Sequence, residues 1–153
     1  GESRLADRLT AVGFTDVTVL DLSATAVDAV RARLGARASY VVADVREWEP
    51  ARPYDLWHDR AMFHFLNDPA DRDAYARAAR AAVRPGGWLV LGVFAPDGPE
   101  SCSGLAVARH DAGELAARFA DGFAPRATER EGHVTPGGAT QWFTWLTMQR
   151  TRS

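Results

Sequence analysis

Tyr54-Asp55-Leu56-Trp57-His58-Asp59-Arg60-Ala61-Met62-Phe63-His64-Phe65-Leu66 decides the fold. Residues 54–57 read as a short apolar strand, which then delivers two histidines, an aspartate and an arginine with Phe63 and Phe65 interleaved. Polar groups set right after a buried strand stand at a strand's carboxyl end, where open α/β sheets build their sites. Two earlier β-branched or apolar runs, residues 17–20 and 38–43, end in the same way at Asp21 and Asp44.

Helical patterns fill the intervals. In residues 4–12, Leu5, Leu9 and Val12 share one face, with Ser3 as N-cap and Gly13 as the C′ residue. Ser23 caps a second helix over residues 24–34, which Gly35 ends. Asp68-Pro69 starts a third, rich in alanine and arginine, with proline in the favoured first turn. Arg84-Pro85-Gly86-Gly87 then makes a hard turn into residues 88–94, the most strand-like run of the chain. After a long loop over residues 95–108, Asp111 and Glu114 form a capping-box start to a helix ending near Phe119. Residues 124–133 and 141–150 flank Thr135-Pro136-Gly137-Gly138 and read as an antiparallel hairpin.

Strands alternating with helices predict an α/β fold: a Rossmann-like, doubly wound, mostly parallel sheet closed by an antiparallel C-terminal hairpin. No repeat and no linker interrupts residues 1–153, which read as a single domain. At 153 residues and a net charge of −2, the chain can bury a real core and shows no basic field for nucleic acid or an anionic membrane. One cysteine, Cys102, excludes a disulfide framework and fits a reducing cytoplasm. No run approaches the ~18 apolar residues of a membrane span.

Asp21 can be a turn aspartate or a ribose-diol acceptor, because a carboxylate offers two acceptor oxygens. Asp44 has the same two readings, with an adenine amino group as the donor. Histidine at a strand tip can be base, orienter or ligand near neutral pH. A zinc site needs three or four convergent ligands, and only His58, Asp59 and His64 are near one another in sequence, so no metal is expected. Asp59 and Arg60 can equally form an ion pair or a cap. Cys102 has no sequence neighbour that would make it a nucleophile, and no Gly-x-Ser-x-Gly elbow or Walker loop is present.

Taken together, Val19-Leu20-Asp21-Leu22-Ser23, Ala43-Asp44-Val45, Tyr54-Asp55-Leu56-Trp57 with His64-Phe65-Leu66, and Val83-Arg84-Pro85-Gly86-Gly87 occur in one order. In that order the chain resembles the class I S-adenosylmethionine-dependent methyltransferases, nearest to small single-domain types. The resemblance implies that Asp21 binds the cofactor ribose and Leu22 packs by its adenosine. It implies that Asp44 and Val45 read the adenine and that His58 lies beside the methionine part and the transferred methyl. It also implies an apolar first strand running into a glycine loop, of which only a tail, Gly1-Glu2-Ser3, is present. Gly1 is therefore assigned to the cofactor. The 153-residue chain is expected to lack upstream residues of the domain and to bind cofactor poorly by itself.

The function so implied is methyl transfer by direct displacement, with S-adenosylhomocysteine as product and His58, Asp59 and His64 as catalytic candidates. A small-molecule acceptor is the first choice and a protein side chain the second. Nucleic acid and membranes are not expected partners. Two alternatives stand beside this reading: an NAD- or nucleotide-binding Rossmann enzyme, and a non-catalytic methyltransferase-like binding module.

Overall fold

A computed structural model describes residues 3–152, which divide into two compact units between Trp48 and Glu49. The first unit holds α1 (Leu5–Ala11), β1 (Thr18–Asp21), α2 (Ala24–Leu34) and β2 (Ser39–Val42). The strands pair in parallel, with Thr18 opposite Ser39 and Asp21 opposite Val42. Val27, Val30, Leu34 and Val45 are its buried apolar residues. Ser23 caps α2 by accepting from the Ala26 amide at 3.2 Å, as its sequence predicts.

The end of α1 is set by Gly13, at φ +100°. The Phe14 amide reaches back to the Leu9 carbonyl at 3.0 Å and the Gly13 amide to that of Thr10 at 3.3 Å. These two bonds satisfy carbonyls that a helix end leaves open, and the left-handed residue between them favours glycine. The apolar face expected for α1 does not form: Val12 lies beyond the helix as its C-cap, is 74% exposed, and no α1 residue is buried. Polar contact ties this helix down instead. Arg33 on α2 grips both carboxylate oxygens of Asp7 at 3.2 Å. Residues 17–20, read as a buried strand, are only half-buried, because β2 is the one strand that pairs with β1 among the described residues.

The second unit is built on a four-stranded sheet in the order β3 (Tyr54–Arg60), β4 (Val83–Phe94), β8 (Thr140–Arg150), β7 (Phe123–Val134). β3 and β4 are parallel, and the C-terminal hairpin adds to β4 antiparallel through β8. Alternation along the strands sorts the side chains. Leu89, Leu91 and Val93 of β4 and Leu146 and Met148 of β8 are fully buried. So are Tyr75, Ala79 and Ala82 of α3 (Pro69–Ala82), and Leu115 of α4 (Ala112–Arg118) with Phe119 just beyond it. Trp88 and Leu56, on the other parity, stay exposed. The Asp68 cap of α3 and the Asp111–Glu114 capping box of α4 form as the sequence predicts.

Three local differences matter for function. First, β3 runs three residues further than its apolar part, because β4 keeps pairing alongside it: His58 faces Val90, Asp59 faces Leu91 and Arg60 faces Gly92. Second, the turn at residues 84–87 is an excursion inside β4, since Tyr54 pairs with Val83 and Leu56 with Trp88. Gly86 there has φ +79°, and a Cβ on Gly87 would fall 2.9 Å from the backbone oxygens of Arg84 and Asp55. Arg84 also pairs with Asp55 across the excursion. Third, the loop after β4 carries a small hairpin, β5 (Ser101–Cys102) with β6 (Leu105–Ala106), turning through Ser103 and Gly104 at positive φ.

Candidate active site

In the first unit, Asp21 closes β1 and Asp44 follows β2 by two residues, so both acids stand at the carboxyl end of the parallel pair. The Ala43 amide donates to the Asp21 carbonyl at 3.1 Å, which extends the ladder to the edge of the two turns. Asp21 Oδ1 accepts from the Ser23 amide at 2.8 Å, fixing the carboxylate over the start of α2. Leu22, between them, is 71% exposed. Asp44 is held by Arg46: its Oδ1 accepts from the Arg46 amide at 2.9 Å and from Nε at 3.0 Å. That guanidinium keeps the Asp44 carboxyl below the usual carboxylate range. Val45 turns inward and is buried. Gly1 lies outside the described residues.

In the second unit, the structure separates three residues that the sequence placed together. His58 stands on the exposed face of β3, its ring 5.7 Å from that of Trp145 on β8. Partial desolvation, and then the charge of Arg60, hold the His58 imidazole below its ordinary pKa, so it is neutral at neutral pH.

Asp59 points to the opposite face and is buried. Its Oδ1 accepts from the Met62 amide at 3.1 Å, and its Oδ2 from the Phe63 amide at 3.1 Å and the Tyr75 hydroxyl at 2.7 Å. Tyr75 in turn accepts from Trp57 Nε1 at 3.0 Å. Burial pushes the Asp59 carboxyl up, against the pull of its three donors. Geometrically this is a turn clamp. It secures the residues around Ala61, whose φ of +64° a non-glycine residue adopts only under constraint.

His64, in the helical turn Phe63–Phe65, is fully buried, with its ring 4.5 Å from Phe94 and 4.7 Å from Phe65. Neither ring nitrogen has a hydrogen-bond partner among the described residues. Burial, helped by nearby His110, drives its pKa down to about 4. Among the described residues no three His, Cys, Asp or Glu side chains converge as a metal site would require.

Tyr75 and Trp145 escaped the sequence reading. Tyr75 looks like one more apolar position on the core face of α3, and only the fold brings it to Asp59, 16 positions earlier. Trp145 lies flat over Gly92: a Cβ there would fall 2.7 Å from two carbons of the indole ring. Its Nε1 donates to Glu131 at 2.6 Å, which fixes the ring plane.

A sequence profile of the methyltransferase domain family matches residues 1–87, more than half of the chain. The chain belongs to that family. Solved structures place its fold among the S-adenosylmethionine-dependent methyltransferases. One from Methanosarcina mazei aligns over 100% of this chain and 90% of its own, with a TM-score of 0.84 at 14% identity. The 1,6-didemethyltoxoflavin-N1-methyltransferase of Burkholderia thailandensis, solved with its acceptor and S-adenosylhomocysteine, aligns over 99% of this chain and 68% of its own, with a TM-score of 0.77 at 24% identity. A glycopeptide N-methyltransferase complexed with S-adenosylmethionine aligns over 97% and 77%, with a TM-score of 0.71 at 18% identity. Among curated proteins no sequence matches this one.

Proposed function

We propose that the protein transfers the sulfonium methyl of S-adenosylmethionine to a nucleophile on a small molecule by direct displacement, releasing S-adenosylhomocysteine. The observation that carries this reading is the pair of acids, Asp21 and Asp44, on adjacent turns at the carboxyl end of a parallel strand pair. This is where dinucleotide and nucleoside ligands sit in such sheets. Asp21 is assigned to the ribose hydroxyls, and one of its oxygens already takes a backbone amide, which presets its direction. Leu22 offers its exposed side chain to the adenosine, and Asp44 and the backbone of Val45, whose side chain is buried, are assigned to the adenine. Gly1 is assigned to the methionine end.

The methyl donor supplies the leaving group, so the chain's own residues have to orient the acceptor and take its proton if it carries one. His58 is the residue proposed for that contact, because it is exposed, neutral near pH 7 and set on a rigid strand. Asp59 and His64 are proposed as positioning residues: one clamps the turn after β3 and the other packs beneath it. Residues 1–153 are read as one methyltransferase-like domain, a view supported by solved structures that align over the whole chain. The small-molecule acceptor is supported by the didemethyltoxoflavin enzyme's ligand, with a protein side chain second. A reducing cytoplasm is supported by the single cysteine, and no helix among the described residues is long and apolar enough to cross a membrane.

Calorimetric titration of the full-length protein with S-adenosylhomocysteine and with NAD tests the reading. Measurable binding of the former, with none of the latter, is expected. Tight NAD binding with no affinity for S-adenosylhomocysteine would replace it with a dinucleotide enzyme. Cofactor binding without methyl transfer to any acceptor would leave a binding module.

A further inference from the structure

On the face of the four-stranded sheet that carries His58 and Val90 there is a hollow. Val90, Thr147 and Ala127 are paired across β4, β8 and β7, and their short side chains make its floor. The next row along the strands is bulkier. Trp145 of β8 stands opposite Glu129 of β7, and Glu131 follows two residues on, on the same face. These side chains line a concavity of about 290 Å³.

The walls are anionic and aromatic. Trp145 Nε1 donates to Glu131 Oε2, which fixes the indole and leaves the second carboxylate oxygen without a donor among the described residues. Neither glutamate has a basic partner among the described residues, whereas Asp55, Asp73, Asp97 and Asp121 of the same unit each pair with an arginine. The neighbouring arginines are committed elsewhere: Arg130 to Asp97 and the Trp142 ring, Arg126 to Gln149, and Arg60 to the Phe143 ring. Two carboxylates on one face of a strand, roughly 7 Å apart along it, repel each other unless a cation lies between them. Three kinds of group thus meet in one hollow: carboxylates that accept from N–H donors, an indole that attracts a cation to its ring, and the apolar Val90 and Ala127, which receive methylenes. We propose that the hollow binds a primary alkylammonium ligand, in particular a short α,ω-diamine that gives one ammonium to each glutamate and lays its chain along Trp145. The proposal does not rest on the methyltransferase reading and adds a cation site to it.

The test titrates 1,4-diaminobutane and its uncharged isostere 1,4-butanediol into the full-length protein by calorimetry. The diamine is expected to bind at least about tenfold more tightly than the diol, with an affinity that falls as salt rises. Butylamine, with one charge, should fall between them. Glu129→Gln and Glu131→Gln keep the side-chain shape and, at position 131, an acceptor for the indole N–H. Each should weaken the diamine by about fivefold or more, and the double variant should bring it to within about twofold of the diol. Glu129 is exposed and Glu131 half-buried, and matched thermal unfolding of the variants verifies the fold. Equal binding of diamine and diol by the wild type would overturn the proposal. So would a preference for the diamine that survives in the double variant, which would put the cation elsewhere on the protein.

Discussion

The Tyr75 hydroxyl donates to Asp59 Oδ2 at 2.7 Å while accepting from Trp57 Nε1 at 3.0 Å, so one phenol links a strand carboxylate to a strand indole. Burial and the neighbouring Asp59 charge hold the phenol protonated, far above its ordinary pKa. Tyr75→Phe leaves the indole N–H without its acceptor and Asp59 short of one donor. It should cost about 1–3 kcal/mol in urea unfolding. Asp59→Ala also strands the Met62 and Phe63 amides and should cost more than Tyr75→Phe. If Asp59→Asn instead abolished turnover at unchanged stability, Asp59 would be a base and not a clamp.

His64 sets a pH dependence. Its folded pKa of about 4 lies below the unfolded value of 6.5, so the unfolded chain takes up the proton first as pH falls. Stability is therefore full above pH ~6.5 and declines down to pH ~4, by up to about 3 kcal/mol for this one group. His64→Phe should flatten thermal unfolding over that window. An unchanged slope would show that other groups govern acid unfolding.

Gly92 is where the backbone admits an indole. Gly92→Ala puts a methyl 2.7 Å from Trp145 ring carbons, and the ring has to leave β4 and its bond to Glu131. A loss of about 1–3 kcal/mol and a red shift of tryptophan emission are expected. Stability and emission both unchanged would mean that the indole has another place to lie.

Cofactor and acceptor contacts should divide by position in the chain. Asp21→Ala should weaken S-adenosylhomocysteine binding by about tenfold or more, as expected for a carboxylate that accepts from a diol. His58→Ala should lower kcat with a smaller effect on that affinity. Equal losses in both variants would place His58 with the cofactor.

Much of the fold could be read locally. Ser23, Asp68 and Asp111 are helix caps recognisable from a few residues, and each caps the helix that its sequence predicts. The length of β3 could not be read this way, because His58, Asp59 and Arg60 are polar and become strand only through pairing with Val90, Leu91 and Gly92. Asp59 does form the cap that its sequence allowed, with the Met62 and Phe63 amides, and only its third donor, Tyr75, lies far off in the chain. Arg60 forms no ion pair among the described residues and lies instead over Phe143, far off in the chain. Ala61 gives no signal at all, since alanine at φ +64° is imposed by the clamp and not by its own preference.

The Arg84–Gly87 excursion works like a frame-setting insertion. Between Tyr54 and Leu56 the sheet advances two residues, while β4 advances five from Val83 to Trp88. The difference is odd, and strand side chains alternate with period two. Everything after Gly87 is thereby turned over relative to the helix that feeds it. Remove one of the two glycines and Leu89, Leu91 and Val93 would swing out to water while Trp88 and Val90 swung in. Remove two residues and the faces would be restored on a tighter bend. The pattern of tolerated lengths at this turn would thus obey a parity rule, a test of the sheet that needs no substitution in its core.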